Sequence, residues 1–385
     1  MIDKKLKIMD KKVIAINLIS FSNTKSVGTF VFIKRLLSEL FKQDLSGFCF
    51  VIYIQKEVSV DDFGIPSIQT VKVVKVPHFK KSFLRIIFEQ TLFYFYQCKC
   101  DVFFTPSLSL PLFAKGIKIL TIHDMIPFWD KKKYSWLIRK YVVFMTYCAA
   151  KCAGKIVTVS ESSKLDIIRF LKIDDPKIHV IYNFVSDNDL VIQKQNITQQ
   201  FIELSQSKQL KLNVPFFLTV STLQPAKNID GLIDAFHLFH LENPSFYLYI
   251  VGSKGWNYRN LFTQVEKYNL EDRVIFTGYL DDSELSILYS KCIGVVYVSF
   301  YEGFGIPPLE GFYHNKSCVA SNTSSIPEVV GKAGVLVDPY DKNAICNGMK
   351  DFLKNVANKK RHIPEQLQKF SPENQIRKLL DLFII

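Results

Sequence analysis

The chain has 385 residues, 48% of them hydrophobic, which is too long for one ordinary core and enough apolar material for two. Its 49 Lys and Arg residues outnumber its 36 Asp and Glu residues, and the net charge of +13 favours an anionic partner: a phosphorylated substrate, a membrane surface or nucleic acid. No run of about 18 apolar residues occurs, so no membrane-spanning helix is predicted. The first five residues lack the apolar core of a secretion signal, and we expect a cytoplasmic protein.

The eight cysteines form no pair of closely spaced ligand clusters, and several fall in apolar stretches. We interpret them as reduced core thiols. A metal site at Cys98 and Cys100, or at Cys148 and Cys152, would need a second cluster, so no metal is expected.

The first half of the chain alternates strand-like and helix-like segments. The predicted strands are residues 13–18, 48–54, 70–76, 101–105, 117–122, 155–159 and 177–182. The predicted helices are one that follows Gly28 and the segments 82–98, 135–150 and 161–171, the last capped by Ser160. This alternation predicts a parallel sheet covered by helices on both faces, with ligands beyond the carboxyl ends of the strands.

Two strand ends in this half carry candidate site residues. The loop before Gly28 lacks the three-glycine dinucleotide fingerprint, so a nicotinamide site is poorly supported, and a lone glycine there is most often a turn residue. His123 and Asp124 follow the predicted strand 117–122. A neutral imidazole can donate to a hydroxyl or a carbonyl, and Asp124 would be placed to fix its tautomer. The alternatives are a histidine satisfied by backbone and an aspartate that caps a helix or makes a turn.

Residues 78–97 combine basic side chains with many aromatic and aliphatic ones. A helix of this composition suits either a membrane interface, with its lysines near anionic lipid, or a protein core. The lysine run 131–133 adds a second basic cluster to this half. A nucleic-acid partner is not expected, because no accompanying motif is present.

The sequence turns polar from residue 193 to 209, which places a domain boundary near residues 184–214. Asp187-Asn188-Asp189 opens this stretch and is interpreted as a turn or helix cap. A strand is predicted at residues 216–221, and residues 246–252 and 274–280 are predicted as two more strands that end in glycine-containing turns. Lys227 stands before a predicted helix, close to its positive end, where it would make an anion site with one mobile charge.

Residues 299–310 read Ser-Phe-Tyr-Glu-Gly-Phe-Gly-Ile-Pro-Pro-Leu-Glu and follow a β-branched strand, 293–298. The two glycines permit a tight loop and the two prolines suit the first turn of a helix. Glu302 is therefore predicted on the loop and Glu310 in the first helical turn. Free N–H groups at a helix start attract an anion, and flanking carboxylates accept hydrogen bonds from hydroxyls, so a phosphate next to a sugar would fit. Either glutamate alone would more simply be an ordinary loop or helix residue.

Together these segments resemble the retaining GT-B glycosyltransferases of family 4 in order and spacing. The resemblance implies an α/β GT-B fold of two Rossmann-like, doubly wound parallel-sheet domains facing a central cleft. Residues 1–190 would form the acceptor-side domain, residues 191–368 the nucleotide-sugar domain, and residues 369–385 a helix that crosses back to the first domain.

The resemblance also implies site roles. His123 and Glu302 would contact the donor sugar as catalytic residues. Donor-binding roles fall on Gly28, Lys227, Tyr279, Leu280, the amides of Phe304, Gly305 and Ile306, and Glu310. In the family an arginine often assists the lysine on the diphosphate, but here Thr222 and Ala226 occupy its usual positions.

The implied reaction moves a hexosyl unit, with GDP-mannose as a candidate donor, to a glycan or lipid-linked glycan acceptor in surface polysaccharide synthesis. No cofactor is expected beyond the nucleotide-diphosphate sugar itself. A protein bound to the inner face of an anionic membrane is compatible with the basic charge. The alternatives are a non-catalytic sugar-nucleotide-binding relative, a nicotinamide oxidoreductase and a basic scaffold.

Overall fold

A computed structural model of the chain describes residues 11–21, 28–130, 134–186, 205 and 210–384. The chain divides into two compact units, one formed by Met1–Phe184 with Pro372–Ile385 and the other by Val185–Ser371. The lysine run 131–133 and Asp187-Asn188-Asp189 lie outside the described residues.

The first unit alternates strands and helices as predicted. Its elements are β1 (Lys12–Asn17), α1 (Gly28–Leu40), β2 (Phe48–Gln55), β3 (Val71–Val76), α2 (Ser82–Gln90), α3 (Phe93–Tyr96), β4 (Val102–Thr105), β5 (Ile117–Ile122), α4 (Ile126–Trp129), α5 (Trp136–Cys152), β6 (Lys155–Thr158), α6 (Glu161–Leu171), β7 (Ile178–Val180) and the C-terminal helix (Pro372–Ile384). The strands form one parallel sheet in the order β3-β2-β1-β4-β5-β6-β7. All strands run the same way, and their sequential order across the sheet reverses between β1 and β4.

Both faces of this sheet are covered, which explains why the inner strands β2 and β4 are buried along their whole length, whereas the edge strand β3 has exposed residues. Phe88 of α2, Phe93 of α3, Ala149 of α5 and Ile167 of α6 belong to one core cluster and therefore cover the same face. The C-terminal helix packs on α1 and places Phe383 against Phe104 of β4. The side chain of Gln375 accepts a hydrogen bond from the amide of Tyr182 at 3.0 Å, and this bond joins the two ends of the unit.

The prediction of one helix over residues 82–98 is wrong, because the helix is interrupted at Thr91 and Leu92 and the segment forms two helices, α2 and α3. Phe88 and Phe93 are both buried in the same core. In a continuous helix, side chains five residues apart would point about 140° away from each other. The break allows both rings to reach the core.

The cysteine interpretation holds for six of the eight thiols, which are free and buried, and fails for the other two. Cys152 is exposed and Cys148 is partly exposed, because both lie towards the outer side of α5.

The second unit repeats the same architecture. Its elements are β8 (Phe216–Val220), α7 (Ile229–Glu242), β9 (Tyr247–Val251), α8 (Arg259–Lys267), β10 (Val274–Gly278), α9 (Asp282–Lys291), β11 (Gly294–Tyr297), α10 (Ile306–Tyr313), β12 (Cys318–Ser321), α11 (Ile326–Val330), β13 (Gly334–Val337), α12 (Lys342–Lys360) and α13 (Ile363–Lys369). The parallel sheet runs β10-β9-β8-β11-β12-β13, so its order reverses between β8 and β11.

None of the helices in the described part of the chain is both long enough and apolar enough to cross a lipid bilayer.

Helix α9 begins with a capping box that we expect to support the second unit. The Asp281 carboxylate accepts from the Glu284 amide at 2.9 Å, and Glu284 accepts from the Asp281 amide at 3.0 Å. Asp281→Ala should lower the free energy of unfolding by about 1 kcal/mol, seen as a lower urea midpoint. Asp272→Ala is the control, since it removes the same charge from an exposed position for which no hydrogen bond is recorded in the described residues. An equal effect of both substitutions would contradict the capping role.

Candidate active site

Lys227 and Glu302 lie at the reversal point of the second sheet. Lys227 follows β8 in a short 3-10 turn, Pro225–Lys227, and Glu302 follows β11. Strands β8 and β11 are neighbours, with Leu218 opposite Val295. Because ligands of open parallel sheets bind beyond the carboxyl ends of the strands where the order reverses, this is the expected ligand position.

The structure joins these two residues in an ion pair. Nζ of Lys227 lies 2.5 Å from Oε1 of Glu302, and the side chains are 16% and 10% exposed. The turn that carries Lys227 is fixed by Asn228, a buried residue in the left-handed region with a φ of 54°. The Asn228 amide group donates to the carbonyls of Val298 and Pro339 at 3.1 and 2.7 Å. A cation and a carboxylate are thus held together where solvent screens them weakly.

A buried tyrosine completes this group. The Tyr297 hydroxyl donates to Oε1 of Glu302 at 2.7 Å. Burial raises the pKa of this hydroxyl well above its ordinary value, and the Glu302 carboxylate adds to the rise, so Tyr297 remains a donor at neutral pH. Oε1 therefore receives two hydrogen bonds, whereas Oε2 receives none that is recorded in the described residues. Oε2 is the oxygen left to accept from a ligand hydroxyl.

Sequence reasoning missed Tyr297 as a site residue because it lies in an apolar strand and was interpreted only as core. Its position as the last residue of β11, five residues before Glu302, was the available signal.

The glycine loop is held by serines from the loop after β12. The Ser325 hydroxyl donates to the carbonyls of Glu302 and Phe304 at 3.0 and 2.8 Å, and the Glu302 amide donates to the Ser324 hydroxyl at 3.0 Å. Gly305 has a φ of 105°, and a Cβ atom there would overlap the Ile326 side chain. Glycine is therefore required on both conformational and steric grounds.

Helix α10 starts directly after Gly305. Hydrogen bonds donated by the amides of Gly305 and Ile306 are not recorded within the described residues, as expected for a helix start. These amides come three and four residues after Glu302, the ion-pair partner of Lys227, and amides at a helix start suit an anion. The Phe304 side chain is buried against the Phe370 ring, so only its backbone is suited to a ligand.

The prediction that Glu310 lies in the first helical turn is wrong. Helix α10 begins at Ile306 and already contains both prolines in its first turn, where their missing N–H groups have no intrahelical acceptor to lose, so Glu310 falls in the second turn. The Tyr289 hydroxyl of α9 donates to Oε2 of Glu310 at 2.9 Å. Burial, with a further contribution from Glu310, raises the pKa of Tyr289 well above its usual value. Each glutamate thus has a buried tyrosine that orients it.

Tyr279 and Leu280 follow the edge strand β10. Tyr279 is 56% exposed, whereas Leu280 is buried. Gly278 before them has a φ of 74°, a conformation that favours glycine in this turn. The role of this segment beside a nucleotide base stays a prediction.

In the first unit His123 lies just beyond β5, next to the point of reversal in that sheet. Its Nε2 is 3.0 Å from the Pro106 carbonyl oxygen, and its ring packs edge-on against Phe32 at 5.0 Å. A carbonyl only accepts, so the proton sits on Nε2. Burial lowers the pKa of His123 although the Pro106 carbonyl and Asp124 act in the opposite direction, and the ring is neutral at pH 7. Among the described residues no hydrogen bond to Nδ1 is recorded, so this nitrogen can accept one.

Asp124 and Gly28 are the other two residues of the first unit for which the sequence predicts a role. The Asp124 carboxylate accepts from the Ile126 amide at 2.9 Å, which is the turn role left open by the sequence. Gly28 is the exposed first residue of α1, and a Cβ atom there would meet no atom of the described residues within 4 Å. The ligand role of Gly28 stays a prediction.

The His123 ring should titrate below about 6.5, the ordinary histidine value, and show the Nε2–H tautomer in nitrogen NMR, with His123→Gln to assign the signal. Its folded-state pKa is lowered, so its contribution to stability is complete above the unfolded-state value and is lost as pH falls through the folded-state value. The free energy of unfolding should therefore decline less steeply below pH 6.5 in His123→Gln than in the unaltered protein. A ring that titrates above its ordinary value, or carries its proton on Nδ1, would contradict this assignment.

Tyr297→Phe removes a donor from a buried carboxylate and should lower the free energy of unfolding by about 1.5–3 kcal/mol. Tyr249→Phe is the matched control, because the Tyr249 hydroxyl is equally engaged but donates to the neutral Lys211 carbonyl at 3.0 Å. The control should cost about 0.5–1.5 kcal/mol in the same urea titration. A smaller loss for Tyr297→Phe than for Tyr249→Phe would show that the carboxylate does not depend on this bond.

Two family sequence models match adjoining parts of the chain. The family described as Glycosyltransferase Family 4 matches residues 56–189, and the family described as Glycosyl transferases group 1 matches residues 200–370.

Similar proteins include three bacterial mannosyltransferases. O-antigen chain mannosyltransferase B of Escherichia coli is 32% identical over 59% of this chain and 58% of that protein. The serotype-specific mannosyltransferase WbdA of Escherichia coli is 30% identical over 66% of this chain and 32% of its own length. The O-antigen chain mannosyltransferase RfbU of Salmonella typhimurium is 29% identical over 68% of this chain and 65% of its own. The matched region thus spans less than two thirds of each relative.

Solved structures share the fold at low identity. Sucrose-phosphate synthase from Thermosynechococcus elongatus superposes with a TM-score of 0.76 at 20% identity, covering 97% of this chain and 98% of that one. Anabaena HepE in complex with UDP and glucose superposes with a TM-score of 0.73 at 18% identity, covering 96% and 99% of the two chains. With the doubly wound sheets described above and family matches in both units, the chain belongs to the family 4, group 1 glycosyltransferases and has the GT-B fold.

Proposed function

We propose that the protein is a retaining glycosyltransferase that moves a hexosyl unit from a nucleotide-diphosphate sugar to a glycan or lipid-linked glycan during surface polysaccharide synthesis. GDP-mannose is the first candidate donor, because the relatives named above are mannosyltransferases of O-antigen chains. The observation that carries the proposal is the group at the reversal point of the second sheet: the Lys227–Glu302 pair beside the open amides of Gly305 and Ile306.

This group contains the contacts that a nucleotide sugar needs. An ammonium has three N–H donors and Glu302 uses one, so Lys227 retains donors for a diphosphate, assisted by the amides of Phe304, Gly305 and Ile306. Oε2 of Glu302 accepts from a sugar hydroxyl next to the diphosphate. Glu310, oriented by Tyr289, accepts from the ribose hydroxyls, and the segment at Tyr279 and Leu280 contacts the base.

In the proposed reaction the bond between the anomeric carbon and the β-phosphate oxygen breaks, and the anomeric carbon bonds to an acceptor hydroxyl on the same face. The acceptor proton passes to the departing phosphate, and the products are the extended glycan and a nucleoside diphosphate. Lys227 and the loop amides stabilise the negative charge that develops on the leaving phosphate. His123 assists by accepting a hydrogen bond from a substrate hydroxyl at Nδ1. A covalent carboxylate intermediate is not invoked, since that route needs two carboxylates that flank one bond.

Donor binding can be tested with UDP, GDP, TDP, ADP and CMP sugars by thermal unfolding. The correct donor at 100 times its dissociation constant should add about 2.7 kcal/mol to the free energy of unfolding, which gives a measurable rise in melting temperature. Lys227→Met should weaken binding of that donor in calorimetry by about 10- to 150-fold, because a charged hydrogen bond to the diphosphate is lost. Lys254→Met, which removes an exposed lysine from the same unit, should bind normally.

A melting curve unmoved by every sugar nucleotide would reject the donor site, and equal losses in the two lysine variants would reject the role of Lys227. The stereochemistry needs a separate measurement, in which proton NMR of the first product formed should show the anomeric configuration of the donor. An inverted product would exclude the retaining assignment while leaving donor binding intact.

A non-catalytic sugar-nucleotide-binding protein is the second candidate. It is favoured by Thr222 and Ala226, which leave Lys227 without the neighbouring arginine often found in the family. The carbonyl of Ala226 accepts from the Phe300 amide at 3.0 Å, so this position lies directly beside the glutamate loop. Tight donor binding without hydrolysis or transfer to acceptor glycans would favour this candidate.

A further inference from the structure

Helices α2, α3 and α5 and the loop after β4 expose large apolar side chains on the first unit. The most exposed are Phe95 at 79%, Leu137 at 70% and Phe113 at 69%. We define the aromatic face by six such residues: Phe83, Ile87, Phe95, Phe113, Leu137 and Phe144. Single exposed apolar residues are ordinary, but a patch that extends over several elements marks an interaction surface.

The aromatic face is continuous because its elements pack on one side of the first sheet and contact each other. The side chain of Gln90, at the end of α2, donates to the Leu110 carbonyl at 3.0 Å and accepts from the Leu112 amide at 3.1 Å. The Lys115 ammonium lies 4.8 Å from the centre of the Tyr94 ring. These contacts join the loop that carries Phe113 to α2 and α3.

Helix α5 covers the same side of the sheet as α2, because Ala149 of α5 and Phe88 of α2 belong to one core cluster. Burial raises the pKa of the Tyr141 hydroxyl on α5, Arg85 opposes the shift, and Glu89 adds to it, so this tyrosine is close to two α2 side chains. Leu137, Tyr141 and Phe144 recur at helical spacing and are all exposed. The outward side of α5 therefore extends the face begun by α2 and α3.

The charge around the aromatic face has one sign. Residues 79–99, 106–118 and 134–151 contain nine Lys and Arg and a single carboxylate, Glu89. Glu89 is 2% exposed and accepts from the Ser109 hydroxyl at 2.5 Å, so it does not offset the surface charge. Lys140 lies 4.0 Å from the centre of the Trp136 ring, an arrangement of cation and aromatic ring at the edge of the face.

We propose that the aromatic face binds the surface of an anionic lipid bilayer, with its rings among the acyl chains at the interface and its lysines at the phosphate groups. Amphipathic helices with aromatic residues on one side and basic residues around them bind membranes in this way without spanning them. The near absence of carboxylates favours lipid over a protein partner, whose interface would ordinarily offer mixed charges. The inference does not depend on the identity of the sugar donor.

Co-sedimentation of the full chain with vesicles of phosphatidylcholine, with and without phosphatidylglycerol, tests the proposal. We expect binding to the anionic vesicles only, weakened by added salt. A triple variant that replaces Lys80, Lys81 and Lys140 with Gln should bind the anionic vesicles about a hundredfold more weakly, since each lysine contributes roughly fivefold to the affinity. The matched control replaces three exposed lysines of the second unit, Lys254, Lys267 and Lys354, with Gln and so has the same net charge.

The apolar contribution is tested with Phe95→Ser against Leu241→Ser, a control of similar exposure, 69%, on the second unit. Phe95→Ser should weaken vesicle binding by about tenfold or more, and Leu241→Ser should leave it unchanged. Circular dichroism verifies that each variant is folded.

The proposal is overturned if the protein does not bind anionic vesicles, or if the control variants lose as much affinity as the test variants. It is also overturned if light scattering shows a dimer that Phe95→Ser dissociates, since a second copy would then cover this face.

Discussion

The carboxylate of Glu302 is the constraint on which the second unit's site depends. It is held in a nearly buried position by an ammonium and a phenol that reach the same oxygen, Lys227 from the end of β8 and Tyr297 from the end of β11. Burial of a lone carboxylate would be costly, and these two donors offset that cost while leaving the second oxygen without a donor among the described residues. The serine contacts that fix the glycine loop then place the helix start of α10 beside the same group.

Glu302 and Glu310 illustrate how similar residues receive different environments from one fold. Glu302 shares its oxygen with a cation, so its charge is largely balanced within the protein. Glu310 stands in the second turn of α10 and accepts from the neutral Tyr289 hydroxyl. The first arrangement suits orientation of a carboxylate next to a phosphate that also carries negative charge. The second suits hydrogen bonds from neutral hydroxyls.

Much of the fold was predictable from sequence because parallel strands buried on both faces read as apolar runs, and β5 and α6 were predicted with the bounds found in the structure. The break between α2 and α3 was not, since the local pattern of residues 82–98 is helical throughout and only the packing of Phe88 and Phe93 reveals the interruption. Within the site, the resemblance to the family identified Lys227 and Glu302 separately. Their direct contact, and the role of Tyr297, depend on which strands are neighbours, and that information is tertiary.

The C-terminal helix gives the chain an order of assembly during synthesis. The second unit is continuous in sequence, so all of it emerges from the ribosome before the segment that supplies Gln375 and Phe383 to the first unit. While the second unit is translated and begins to fold, the surface of α1 and β4 that the C-terminal helix later covers is therefore still exposed in the nascent first unit. Synthesis of residues 372–384, and not of residues 1–184 alone, supplies the helix that covers α1 and β4 in the first unit.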